Sequence, residues 1–224
     1  MRYVGIDFSI NSPGICEFSN NTYNFTSFTN MDPARLHKKK IADSLLIYKK
    51  LVDDSPIDLN WYQRHPSEKI YHLDQMYKMI DANNMAQSIS SSIKPFTNEL
   101  FIGLEGYSYA SKGNSFIELI SFNSVLRNYL LNNFLLTECT ELNITVFSPS
   151  EVKKHAGKGN ANKNDMFKYF LETKDEELLN SKFYKWILEN MLLIFNKDGS
   201  VKKPIDDLID AYFICKKLRD SFSL

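Results

Sequence analysis

Apolar residues fall in two rhythms along this chain. Residues 2–8, 14–19 and 22–28 have the length and composition of strands. The turn Asn11-Ser12-Pro13-Gly14 and the pair Asn20-Asn21 join them, which predicts an antiparallel three-strand meander. Two further strands are predicted at 100–104 and 143–147. The first of these is apolar almost throughout and therefore suits a central position. Helical spacing governs the rest. Ile70, Leu73, Met76, Tyr77, Ile80, Met85 and Ile89 predict a helix over 68–93, stopped by Pro95. Phe116, Leu119, Ile120, Val125, Leu126, Tyr129, Leu130 and Phe134 predict another over 115–136. A short amphipathic helix is expected over 41–51, a helical turn after Ser148, helices over 160–171 and 205–220, and partial helix within 173–200. A meander followed by alternating helices and strands implies an α/β fold, with a mixed five-stranded sheet and helices on its faces. The chain is expected to form one domain over residues 1–224, with an insertion or lid at about 30–66.

Composition narrows the class. The 224 residues are 43% hydrophobic, ample for a full core. No apolar stretch approaches the roughly 20 residues that span a bilayer. An acidic residue interrupts the opening Met1-Arg2-Tyr3-Val4-Gly5-Ile6-Asp7, unlike a signal peptide, so a cytoplasmic location is expected. Cys16, Cys139 and Cys215 have neither metal spacing nor the pattern of a disulfide framework. Asn20, Asn24 and Asn143 match the glycosylation pattern by chance in such a chain. Basic and acidic residues balance at 27 each. The positive charge is nonetheless clustered, at Arg35, His37, Lys38, Lys39 and Lys40 and again at Lys153, Lys154, His155, Lys158 and Lys163. Binding of a polyanion depends on such patches rather than on totals.

Four acids carry the candidate chemistry. Asp7 ends the first strand and Glu105 the fourth. Asp207 and Asp210 lie three apart on the last helix and so share one face. Carboxylates at strand ends, facing carboxylates on a helix, are hard oxygen donors that can hold two divalent ions, and such a pair can cut a phosphodiester. Plainer readings exist for each. A strand-end Asp can cap a turn, and Lys112 or Arg2 could pair with Glu105. Acids in a first helical turn favour the dipole, which accounts for Asp206 and Asp207 better than for Asp210. The loop after Glu105 carries Tyr107, Tyr109 and Lys112, a composition suited to stacking on an exposed base. Glycines beside lysines at Gly157-Lys158-Gly159, ahead of a helix, suit phosphate contacts, without forming a P-loop.

Tyr3-Val4-Gly5-Ile6-Asp7-Phe8-Ser9 with Pro13-Gly14 resembles the first motif of RuvC-type Holliday junction resolvases, and Leu104-Glu105-Gly106-Tyr107 resembles the second. The segment from Pro149 through Lys163 resembles the lysine-bearing stretch of that family, and Asp207-Leu208-Ile209-Asp210-Ala211 its closing acidic helix. The resemblance covers about residues 2–28 and 68–220; residues 30–66 have no counterpart in a compact member. It implies a ribonuclease H-like fold and an endonuclease that resolves four-way and other branched DNA by paired nicks. Asp7, Glu105, Asp207 and Asp210 would be the catalytic and metal-binding set for two Mg²⁺ ions, with Mn²⁺ substituting. Asp206 rivals Asp207 as the ligand. Lys153, Lys154, Lys158, Lys163, Tyr107, Tyr109 and Lys112 would bind DNA, and a homodimer would supply paired sites. The extra segment and the Phe8-Ser9 pair resemble a phage or viral branch, which would act in host cytoplasm. A nuclease acting on other DNA or RNA–DNA structures is the nearest alternative. An actin-like ATP-binding protein also begins with a strand–Asp–hairpin, but it needs a second glycine-rich phosphate loop that this sequence lacks. A non-catalytic DNA-binding module would not need four acids.

Overall fold

The computed structural model describes residues 1–38, 40–93, 99–107, 113–135 and 142–222. Its strands are β1 (Arg2–Asp7), β2 (Gly14–Ser19), β3 (Thr22–Thr29), β4 (Asp58–Trp61), β5 (Leu100–Glu105) and β6 (Leu142–Phe147). They form one sheet in the order β4-β3-β2-β1-β5-β6. β1, β2 and β3 are the antiparallel meander, and β5 and β6 run parallel to β1. The sheet therefore has six strands among the described residues, not the five expected from sequence. The additional strand, β4, adds parallel to β3 from within the 30–66 segment. Its sequence, Asp-Leu-Asn-Trp, is short, half polar and largely exposed, so it carries no alternating apolar signal.

Alternation along β1 sorts the core into two layers. Val4, Ile6 and Phe8 join Ile102, Leu104, Met85, Ile89, Phe122 and Leu126 on one face. That face is covered by α2 (Tyr71–Ser92) and α3 (Asn114–Leu135). Pro95, expected to stop α2, lies outside the described residues, as does Cys139. Tyr3 joins Cys16, Tyr23, Phe25 and Phe101 on the opposite face, under α9 (Ile205–Phe222). The shorter helices α4 (Pro149–Ala156), α5 (Lys163–Leu171), α6 (Glu176–Asn180), α7 (Lys182–Glu189) and α8 (Met191–Ile194) complete that layer.

The 30–66 segment contains a 3₁₀ turn at Pro33–His37 and α1 (Asp43–Asp54). Ile47 and Leu51 of α1 are buried in the layer that contains α9. Trp186 donates its indole N–H to Asp54 at 2.7 Å, tying α1 to α7. Helix α3 turns Phe122, Leu126, Leu130 and Phe134 inward, so core burial explains most of its apolar pattern. Between α2 and α3 an outward groove exposes Tyr71, Met79 and Ile117, at 77%, 73% and 64%. No helix among the described residues is long and apolar enough to cross a membrane.

Candidate active site

Two glycines set the position of α9. A Cβ on Gly5 would lie 2.3 Å from the Cys215 nitrogen and 2.4 Å from the Ala211 carbonyl oxygen. A Cβ on Gly14 would lie 2.7 Å from the Asp207 carbonyl oxygen. Only residues without a Cβ let the helix backbone settle this close to the sheet. The strand face that carries Gly5 also carries Asp7, so the first turns of α9 are laid beside the end of β1. Ile6 is in register with Leu104, which brings Asp7 and Glu105 to adjacent strand ends. Strand and helix acids thus meet at the C-terminal ends of two central strands.

Their electrostatics record the convergence. Burial raises the pKa of Asp7 well above the usual carboxylate value, and the charges of Asp210, Asp207 and Glu105 raise it further, while Lys163 offsets part. Glu105 is pushed up to about 7, mainly by burial and then by Asp210, against Lys163 and Lys153. Asp207, 2% exposed, is pushed up to about 6 by burial and by Asp206, against Lys203 and Lys163. Asp210 is also raised by burial, opposed by Lys163. These groups repel one another in a poorly solvated place, which is the condition a bound cation relieves.

Two lysines answer the excess negative charge. Lys163 opens α5, just after Asn162, which caps that helix reciprocally with Asp165. Its ammonium binds the Asp210 carboxylate and lies 3.5 Å from Asp206. Burial disfavours charge on Lys163, but Asp210, Asp7, Asp206 and Asp207 outweigh it and hold the ammonium pKa above its ordinary value. Lys203, ahead of α9, donates to both oxygens of Asp207 at 2.7 and 2.8 Å. Ser12, in the first turn, donates to the same carboxylate. Asp207 is therefore committed to protein partners, whereas Asp206 Oδ1 is buried with no hydrogen-bond partner among the described residues. Among those residues no three His, Cys, Asp or Glu side chains are already arranged around a metal position. The all-oxygen donor set, the mutual repulsion and the orphaned Asp206 oxygen fit hard divalent cations, with Lys163 standing where positive charge is needed.

The other expected residues divide in two. Lys153, on α4, is close enough to lower the pKa values of both Glu105 and Asp210. Lys154 and Lys158 are exposed beyond it. Tyr107 folds back on α3: its hydroxyl donates to the Ile120 carbonyl at 3.3 Å, and the Arg127 guanidinium lies 5.0 Å from its ring centroid. Tyr109 and Lys112 lie outside the described residues. Arg2, one possible partner for Glu105, pairs instead with Glu17 at 2.6 Å, at the far end of the sheet. Ser12 and Lys203 were not singled out from sequence. Their partner is 195 and 4 residues away respectively, and only the lysine's i, i+4 spacing offered a local signal.

No family model matches the chain. No curated protein matches it either. Among solved structures it is similar to RuvC of Thermus thermophilus, with a TM-score of 0.40 and 10% sequence identity over 90% of this chain and 99% of that one.

Proposed function

We propose that this protein is a metal-dependent endonuclease that resolves four-way and other branched DNA junctions by paired nicks. The observation that carries the reading is the meeting of Asp7, Glu105, Asp207 and Asp210 at the ends of two central strands, where each has a raised pKa and a lysine neighbour. Asp7, Glu105 and Asp210 would hold two Mg²⁺ ions, or Mn²⁺ in their place, with Asp207 or Asp206 completing the set. When bound, those ions would supply an activated water and neutralise charge on the leaving oxygen. The protein's own part is to orient and to bind. Ser12 and Lys203 hold the Asp207 carboxylate in one rotamer. Lys163 and Lys153 present ammonium groups beside the acids, where they would hold the phosphate of the scissile link and offset its developing charge. Lys154 and Lys158 would take flanking phosphates.

Cutting a four-way junction symmetrically needs two sites. A homodimer formed through the exposed α2–α3 groove would provide them. The extra segment at 30–66 and the Phe8-Ser9 pair favour a phage or viral enzyme, acting in host cytoplasm to clear branched DNA before packaging. The test uses a labelled four-way junction, wild type and Asp7→Asn, with and without Mg²⁺. Metal-dependent paired nicks by wild type alone support the reading. Equal cutting of linear duplex would instead favour a general nuclease, and no cutting of any nucleic acid would exclude the activity.

A further inference from the structure

A second polar cleft adjoins the acids at Asp207. It has a volume of 420 Å³ and is lined by Ser12, Arg35, Tyr48, Asn196, Lys202 and Lys203, among others. Two of these, Ser12 and Lys203, are the partners of Asp207, so the cleft and the acid cluster share a wall. Its opposite wall comes from the 30–66 segment: Arg35 from the 3₁₀ turn and Tyr48 from α1. Among the described residues that line the cleft, none is acidic, and three are cationic. The three differ in how they are engaged. Lys203 is held by Asp207, and Lys202 donates to the Leu193 carbonyl at 3.0 Å. Arg35 is exposed and paired with no carboxylate among the described residues. An unpaired guanidinium over a wall of amide and hydroxyl groups suits an anion with several acceptor oxygens.

We infer that this cleft is a subsite for the backbone phosphates of a nucleic-acid strand next to the position of cutting, with Arg35 as its principal contact. This deepens the nuclease reading above and rests on it. The cleft shares Ser12 and Lys203 with Asp207, whereas Lys153 acts on Glu105 and Asp210. A strand crossing the acids would thus meet cations in the cleft as well as Lys153 and Lys163, and the 30–66 segment would supply Arg35 among them.

The experiment measures binding of a fluorescent four-way junction in chelator, where cutting is blocked, over a series of salt concentrations. The proteins are wild type, Arg35→Ala, Arg35→Lys and, as a control on α1 outside the cleft, Lys49→Ala. Melting curves establish that each is folded. Arg35→Ala is expected to weaken binding on the order of tenfold at low salt, and to make the salt slope shallower by about one. Arg35→Lys should recover most of the slope, because it keeps the charge, and Lys49→Ala should match wild type. An Arg35→Ala protein with the affinity and salt slope of Lys49→Ala would overturn this inference while leaving the nuclease reading standing. A wild type that binds no junction and cuts none when Mg²⁺ is restored would overturn both.

Discussion

Asp7 is the residue on which the candidate site turns. It ends a buried strand and stands among three other carboxylates whose charges reach it. Keeping such a group ionised costs stability unless a cation is bound. Removing its charge should therefore separate function from stability. Asp7→Asn should abolish Mg²⁺-dependent cutting, yet melt later than wild type in chelator at about pH 8, by about 0.5–2 kcal/mol. The sign follows for its neighbours. Glu105 and Asp207 have folded-state pKa values of about 7 and about 6, above their ordinary values. Between the ordinary and the raised values the folded chain binds more protons than the unfolded chain, so stability falls as pH rises through that window. Melting temperature in chelator should drop from about pH 5 to about pH 8, and Mg²⁺ should shrink the drop by favouring the ionised form. A melting temperature that is flat over this range, with or without Mg²⁺, would contradict the description of the cluster.

At the scale of elements, the packing of α9 against β1 and β2 decides whether the acids meet at all. Gly5→Ala would drive a methyl into the Cys215 nitrogen and the Ala211 carbonyl, both backbone atoms that cannot rotate away. It should cost about 3 kcal/mol or more by denaturant unfolding, near the top of the range for overpacked sites. It should also lower activity in the fraction that stays folded, because α9 must shift relative to β1. Much of this architecture was legible in the sequence. The meander, the two later strands and the long helices follow from period and turn residues. The split of Tyr3 from Val4, Ile6 and Phe8 follows from strand alternation. Asp7 and Glu105 were legible as acids ending apolar runs. Long-range pairing was not legible. Nothing in the local pattern around Ser12 points to Asp207, and the edge strand β4 looks like loop because it is short, half polar and largely exposed. Likewise the choice between Asp206 and Asp207 turns on which carboxylate Lys203 holds, a matter of tertiary geometry.

For the whole molecule, a net charge of zero conceals a division of labour. Acids are gathered at the ends of β1 and β5 and the start of α9, Lys153 of α4 and Lys163 of α5 stand beside them, and Arg35 with Lys202 and Lys203 lines the adjoining cleft. On a different surface, α2 and α3 leave Tyr71, Met79 and Ile117 in water, an apolar patch of the kind that marks interaction sites. If that groove joins two copies, charging it should separate them. The double change Met79→Asp with Ile117→Asp should convert a dimer to a monomer by sedimentation velocity. It should also turn paired nicks on a junction into single, uncoordinated ones, while far-UV circular dichroism shows each subunit still folded. A wild type that sediments as a monomer even on junction DNA would contradict the paired-site arrangement. The measurement closest to the heart of the matter is anomalous scattering from a crystal soaked in Mn²⁺. Peaks bounded by Asp7, Glu105 and Asp210, with Asp206 or Asp207 alongside and Lys163 displaced from Asp210, are expected. A well-occupied soak with no peak among those carboxylates, or with Lys163 still seated on Asp210, would contradict a metal-dependent cutting site.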